Sequence, residues 1–126
     1  KNRYIGIPFK HNGRDREGID CLGLIYLYLN EHGINIPDND GKKIAEDWYN
    51  SEPLRFHKGL LNFFKKVENK PQKFDVLLFN INGKPKHAGV MINSEKFLHS
   101  RKNRRSAIHR LDYWRKKLYG IYRYRR

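Results

Sequence analysis

The chain contains one cysteine, Cys21, and six histidines, at positions 11, 32, 57, 87, 99 and 109. A thiol becomes a nucleophile once deprotonated, and a nearby imidazole is its usual base. Cys21 follows Asp20 and opens an apolar run, Cys21 to Leu29, that stops at Asn30-Glu31-His32-Gly33. Asp20 is a good N-cap and Gly33 a good C-terminal stop, so the run predicts a helix beginning at Cys21 rather than a buried strand. Backbone N–H groups and the positive end of the helix dipole favour a thiolate at that place, and the same N–H groups suit an oxyanion. The competing reading is that a lone cysteine in an apolar run is a small core residue.

Two of the histidines are placed to serve such a thiol. His87 and His99 both fall in a pair of expected strands. A reversal centred on Asn93 puts them directly across from one another, with Cβ atoms about 4.5–5.5 Å apart. One ring then orients the other, which is the logic of a base and its orienter. A turn centred half a residue away puts them on opposite faces, and both then read as half-buried strand residues with water or backbone partners. His32 and His57 read as helix-end or helix-surface groups, and His109 as a surface group in a basic tail.

The elements that must position these residues change period along the chain. Gly6-Ile7-Pro8 and the stretch Asn12 to Gly18 read as loop. The first helix carries an interior glycine, Gly23, which costs about 1 kcal/mol against alanine and points to close approach of another backbone. Turn chemistry at Ile36 to Gly41 leads into two further expected helices, over 42–50 and from 52–53 to about Val67. Strand patterning follows over Phe74–Ile81, Ala88–Ile92, Lys96–Ser100, Ala107–Leu111 and Leu118–Tyr124. Helices first and strands afterwards predict an α+β fold, its helices packed on a central antiparallel sheet of about five strands.

The 126 residues predict a single domain, 1–126. One cysteine excludes an internal disulfide framework and an all-cysteine metal site. No apolar run approaches the roughly 18 residues of a membrane span, and no basic-then-apolar secretory segment opens the chain. The chain begins at Lys1, which is compatible with an upstream part cleaved or left out. Lys and Arg number 27 against 13 Asp and Glu, a net +14, which by itself points to nucleic acid. The distribution weakens that reading. Residues 101–126 hold eleven Lys or Arg and one acid, net +10, while the other hundred hold 16 against 12, net +4. The charge sits in the last fifth, where Trp114, Ile121, Tyr122 and Tyr124 supply anchors for sheet rather than a loose arm.

Two segments carry a family resemblance. Gly6-Ile7-Pro8-Phe9-Lys10-His11-Asn12-Gly13 with Gly18-Ile19-Asp20-Cys21-Leu22-Gly23-Leu24 resembles the catalytic-cysteine region of NlpC-type cell-wall cysteine peptidases. His87-Ala88-Gly89-Val90-Met91-Ile92, followed by Lys96-Phe97-Leu98-His99-Ser100, resembles their histidine strand and the strand of the third residue. Phe74 to Phe79 and Trp114 to Arg123 resemble the flanking strands, so the likeness covers nearly the whole chain and looks nearest to the phage-tail and prophage-associated subgroup. The resemblance implies a papain-like α+β domain with Cys21 as nucleophile, His87 as general base and later acid, and His99 as the orienting residue. It implies a peptidoglycan stem peptide as substrate, cut at an amide between γ-D-glutamyl and the diamino acid through an acyl-enzyme, with no metal or organic cofactor.

Three positions depart from the family pattern: Phe9 where many members have Tyr, Leu22 where many have Ser, and Asn12 where Gly is common. They put substrate identity in question more than the triad. By the same resemblance Phe9 and Asp20 are the candidate substrate-binding residues, Asp20 either combining helix capping with contact to a cationic part of the substrate or capping the helix only. Other expectations stay open: a nucleic-acid-binding module built on the Arg and Tyr alternation of residues 122–125, and an acyltransferase, another amidase or a toxin domain on the same fold. An enzyme acting on the wall also needs delivery, by a phage-tail-like structure, a secretion system or an upstream region, and a toxin would carry an immunity partner. The basic region would then hold the enzyme on anionic wall polymers.

Overall fold

The structure is a computed structural model that describes residues 3–11, 13–36, 63–68 and 70–125. The helix expected over 42–50 lies outside these residues, as do His57 and Asn12. Two short strands, β1 (Arg14–Asp15) and β2 (Gly18–Ile19), lead into the helix α1 (Cys21–Glu31). The chain then supplies β3 (Phe64–Val67), β4 (Val76–Ile81), β5 (Lys84–Met91), β6 (Lys96–His99) and β7 (Ala107–Arg110). A 3₁₀ helix (Leu111–Lys117) and a last strand, β8 (Leu118–Tyr124), follow.

The main sheet has six antiparallel strands in the order β3-β8-β4-β5-β6-β7, one more than expected. The extra strand is β3. Its apolar residues have helical spacing with those before them, but Phe64 to Val67 pair with Tyr124 to Ile121 at the open edge of β8. Pairing of backbone groups there overrides the local pattern, and Lys65 and Lys66 stay exposed on the edge, where charge discourages further strand addition.

β4 is buried on both faces from Val76 to Phe79, which explains its unbroken apolar run. Tyr28, Leu24 and Leu29 of α1 pack with Val76, Leu78, Ala88, Val90 and Leu98 on one side of the sheet. Leu77, Phe79, Met91, Phe97 and Ile121 form a second core under Leu111 and Trp114 of the 3₁₀ helix. Asn82 and Gly83, both with positive φ (53° and 81°), make the two-residue hairpin between β4 and β5.

The hairpin between β5 and β6 corrects one expectation. Asn93 is not the centre of the reversal. Its Oδ1 accepts from the N–H groups of Glu95 and Lys96, both at 2.8 Å, and the turn closes one residue later. Val90 therefore pairs with Leu98 and Met91 with Phe97. His99 stands across from Gly89, and His87 lies two residues further along the same face. A two-residue offset keeps the face, where a one-residue offset would have changed it.

From Ala107 to Tyr124 the basic tail is strand and 3₁₀ helix, preceded by turns over 101–106. Arg123 reaches inward, its Nε and Nη2 donating to the two carboxylate oxygens of the fully buried Asp75, each at 2.9 Å.

Candidate active site

Asp20 caps α1 as its sequence position requires, accepting the Gly23 N–H at 2.8 Å. The same carboxylate pairs with Arg14 Nη1 at 3.0 Å, with His11 Nδ1 4.0 Å away. Gly23 is tight against a neighbouring backbone: a Cβ there would fall on the Gly13 carbonyl oxygen, so the loop before β1 can lie on the first turn of the helix. Phe9 forms a parallel backbone bridge with Ile19, the residue before Asp20. Ser100 Oγ donates to the Ile19 carbonyl at 3.0 Å and ties the end of β6 to the strand that leads into the helix.

Cys21 is thus held at the start of α1, buried, within the core that includes Ala88. The N–H groups of Ala88 and Leu22 are directed at its sulfur and favour the thiolate. They are outweighed. Burial, with the adjacent Asp20 carboxylate adding to it, pushes the thiol up to about 12. The helix start does not make Cys21 a free thiolate. Among the described residues no hydrogen bond joins the thiol to His87; the sulfur meets β5 at Ala88, the next residue.

The imidazoles do converge. His87 Nε2 and His99 Nδ1 are 2.8 Å apart, and His99 Nε2 and His109 Nδ1 are also 2.8 Å apart. Gly89 lies across from His99, between the two rings' positions on the strand face. A Cβ at Gly89 would come within 2.9 Å of the Phe97 ring and 3.4 Å of His99 Cβ. The expectation that His109 is a surface group of the basic tail is corrected: it is half-buried, and β7 pairs His99 with Ala107 and Phe97 with His109, which sets His109 diagonally beside His99. The signal for it was a second antiparallel pairing that repeats the same two-residue offset.

All three rings lie on Trp114, with centroids 6.0, 4.9 and 6.1 Å from it for His87, His99 and His109. Arg101 and Lys117 sit over the same indole at 5.4 and 5.2 Å. Burial, then the charges of Arg101 and Lys117, hold His87 down to about 4. Burial and the neighbouring imidazoles bring His99 down to about 2. Burial, with Arg101 and Arg104, also lowers His109. The row is therefore uncharged at neutral pH. At its outer end a cavity of about 530 Å³ is lined by His109, Trp114, Tyr113 and the cations Lys96, Arg101 and Arg110. Among the described residues no group of His, Cys, Asp and Glu converges as a metal site, and no helix is long and apolar enough to cross a membrane.

This architecture has known counterparts. An NlpC/P60 family protein from Bacillus cereus is 23% identical with a TM-score of 0.64, over 96% of this chain and 36% of that one. A lipoprotein-like NLP/P60 family protein from Staphylococcus aureus is 20% identical with a TM-score of 0.63, over 98% of this chain and 38% of that one. The NlpC/p60 domain of the peptidoglycan hydrolase SagA is 17% identical with a TM-score of 0.59, over 94% of this chain and 88% of that domain. The chain thus spans little more than a third of the first two proteins. Identities at this level speak for the fold alone, and none of the three singles out a phage-tail subgroup. No curated protein matches the sequence. The model of the NlpC/P60 family matches residues 6–123, nearly the full length, and this chain belongs to that family.

Proposed function

We propose that this chain is a cell-wall hydrolase that cuts an amide bond of the peptidoglycan stem peptide with Cys21 as nucleophile and His87 as base. The observation that carries the reading is a buried thiol at a helix start, touching the strand residue next to a neutral imidazole whose far nitrogen is already bonded to His99. The SagA domain, similar in fold, is part of a peptidoglycan hydrolase.

The reaction follows from the protonation states. His87 Nε2 is engaged by His99, which leaves Nδ1 for the thiol. Rotation about the Cys21 side chain brings sulfur from the Ala88 amide to Nδ1, and the proton passes to the ring. The thiolate adds to the amide carbonyl, and the first amides of α1 receive the oxyanion. Collapse breaks the C–N bond, His87 gives its proton to the leaving amine, and a thioester remains on Cys21. Water, deprotonated by His87, then releases the carboxylate and restores the thiol. The bond between γ-D-glutamyl and the diamino acid is the proposed site of cleavage. Phe9, bridged to Ile19, and Asp20, next to Cys21 in the chain, are the proposed contacts to the stem peptide. Lys96, Arg101 and Arg110 around the outer cavity give anionic wall polymers a place to bind.

The test is digestion of purified sacculi with product identification by mass spectrometry. Cleavage that yields free γ-D-glutamyl ends, and that is abolished in a folded Cys21→Ala variant, supports the reading. Hydrolysis at the wild-type rate by Cys21→Ala refutes it.

A further inference from the structure

Three uncharged imidazoles joined by two hydrogen bonds leave little freedom for their protons. Each neutral ring carries one N–H, and each of the contacts His87–His99 and His99–His109 needs one donor and one bare nitrogen. Two arrangements satisfy both. In the first, His87 Nε2–H donates to His99 Nδ1, His99 Nε2–H donates to His109 Nδ1, and His109 carries its proton on Nε2. In the second, every bond is reversed, and His87 carries its proton on Nδ1. The first presents a bare His87 Nδ1; the second blocks it. The choice is made at the far end of the row, because a bare His109 Nδ1 selects the first arrangement and a protonated one selects the second.

We propose that His109 is a positioning residue that fixes the tautomer of His99 and, through it, keeps His87 Nδ1 bare to receive a proton. The inference rests on the assignment of His87 as the base, but the tautomers themselves can be observed without catalysis. His109 is suited to the task. It is half-buried, stacks on Trp114 with an interplanar angle of 16°, and borders the open cavity. The groups that face it are His99 and Lys96 from β6, Arg101 and Arg104 from the following loop, and Arg110 on its own strand. The cations discourage its protonation, and with it the imidazolium whose Nδ1–H would force the reversed arrangement. Acid strong enough to protonate His109 puts a proton on Nδ1, reverses both bonds and closes the base.

Two variants separate this role from packing. His109→Asn offers Oδ1 in place of Nδ1 as an acceptor and cannot become a donor cation. His109→Phe keeps the ring against Trp114 and removes the acceptor. Nitrogen-15 NMR of the imidazoles is expected to show His87 and His99 protonated on Nε2 in the wild type and in His109→Asn, and a mixed population in His109→Phe. Hydrolysis of muropeptides is expected to follow, with kcat reduced on the order of tenfold in His109→Phe at little change in KM, a part of the 10²–10⁴ that general-base catalysis typically supplies. His109→Asn should keep the wild-type kcat at neutral pH and stay active to lower pH than the wild type. Identical tautomers in all three proteins, or equal kcat and acid limbs for the two variants, overturn the proposal. Cys21→Ala in the same assay tells this failure from failure of the catalytic reading: if it still hydrolyses, the site assignment falls, while the NMR result stands by itself.

Discussion

His87 and His99 are not directly opposed across their hairpin, yet Nε2 of one lies 2.8 Å from Nδ1 of the other. The pairing of Val90 with Leu98 sets them two residues apart on one face, with Gly89 directly across from His99. A contact of this kind holds one ring at a fixed angle and supplies a partner for only one of its nitrogens.

The first prediction tests that contact. His99→Asn retains an acceptor near the Nδ1 position, whereas His99→Leu leaves the His87 N–H buried without a partner. Muropeptide hydrolysis should fall by on the order of 10²-fold or more in His99→Leu and far less in His99→Asn. Equal losses in the two, with circular dichroism unchanged, would show that volume matters and the hydrogen bond does not.

The second concerns pH. His87 acts as a base only when neutral, and burial, then Arg101 and Lys117, hold it down to about 4. Activity should therefore persist below the ordinary histidine value of about 6.5 and be lost once acid protonates His87 or, ahead of it, His109 at the end of its row. Arg101→Gln removes a cation that opposes the imidazolium, so the acid limb of kcat/KM should move upward, toward 6.5. An unmoved or lowered limb contradicts the assignment. On the alkaline side, a thiol pushed up to about 12 predicts slow alkylation by iodoacetamide at neutral pH, rising as the medium becomes more basic.

Much of this site was legible in the sequence because it depends on local rules. Asp20 as cap and Gly23 as a place of backbone approach are each decided by a few adjacent residues. The shared face of His87 and His99 was also legible, since parity survives an offset of two. What depends on distant pairing was not. Phe64 to Val67 look helical until β8 offers an edge, and His109 looks like one more group in a basic run until β7 lays it beside His99. The state of Cys21 was hidden for a related reason: helix polarity can be read along the chain, but burial and the charge of a folded neighbour cannot.

The third prediction follows from the Gly13 carbonyl. Gly23→Ala gains about 1 kcal/mol of helix propensity, but its Cβ meets backbone that cannot rotate away. The clash should cost more than the gain, a net loss of roughly 2 kcal/mol that lowers Tm by several degrees. Thermal unfolding followed by circular dichroism measures it, and an unchanged or raised Tm would show that the loop over the helix start yields freely.

The fourth concerns how much of the basic tail serves the fold. Arg123 holds Asp75 bidentately, and Asp75 is 1% exposed, with the Gln72 N–H as a further donor. Arg123→Met leaves a buried carboxylate without its cation, which should cost on the order of 3 kcal/mol. Arg115 is exposed on the 3₁₀ helix, and Arg115→Met removes the same formal charge from the same region with a change expected within about 0.5 kcal/mol. Asp75→Asn should recover part of the loss in the Arg123→Met background, because it removes the orphaned charge. Urea unfolding of the four proteins decides between the two uses of a cation. If Arg123→Met is as stable as Arg115→Met, the inner pair contributes nothing, and the tail's charge is free to serve the surface alone.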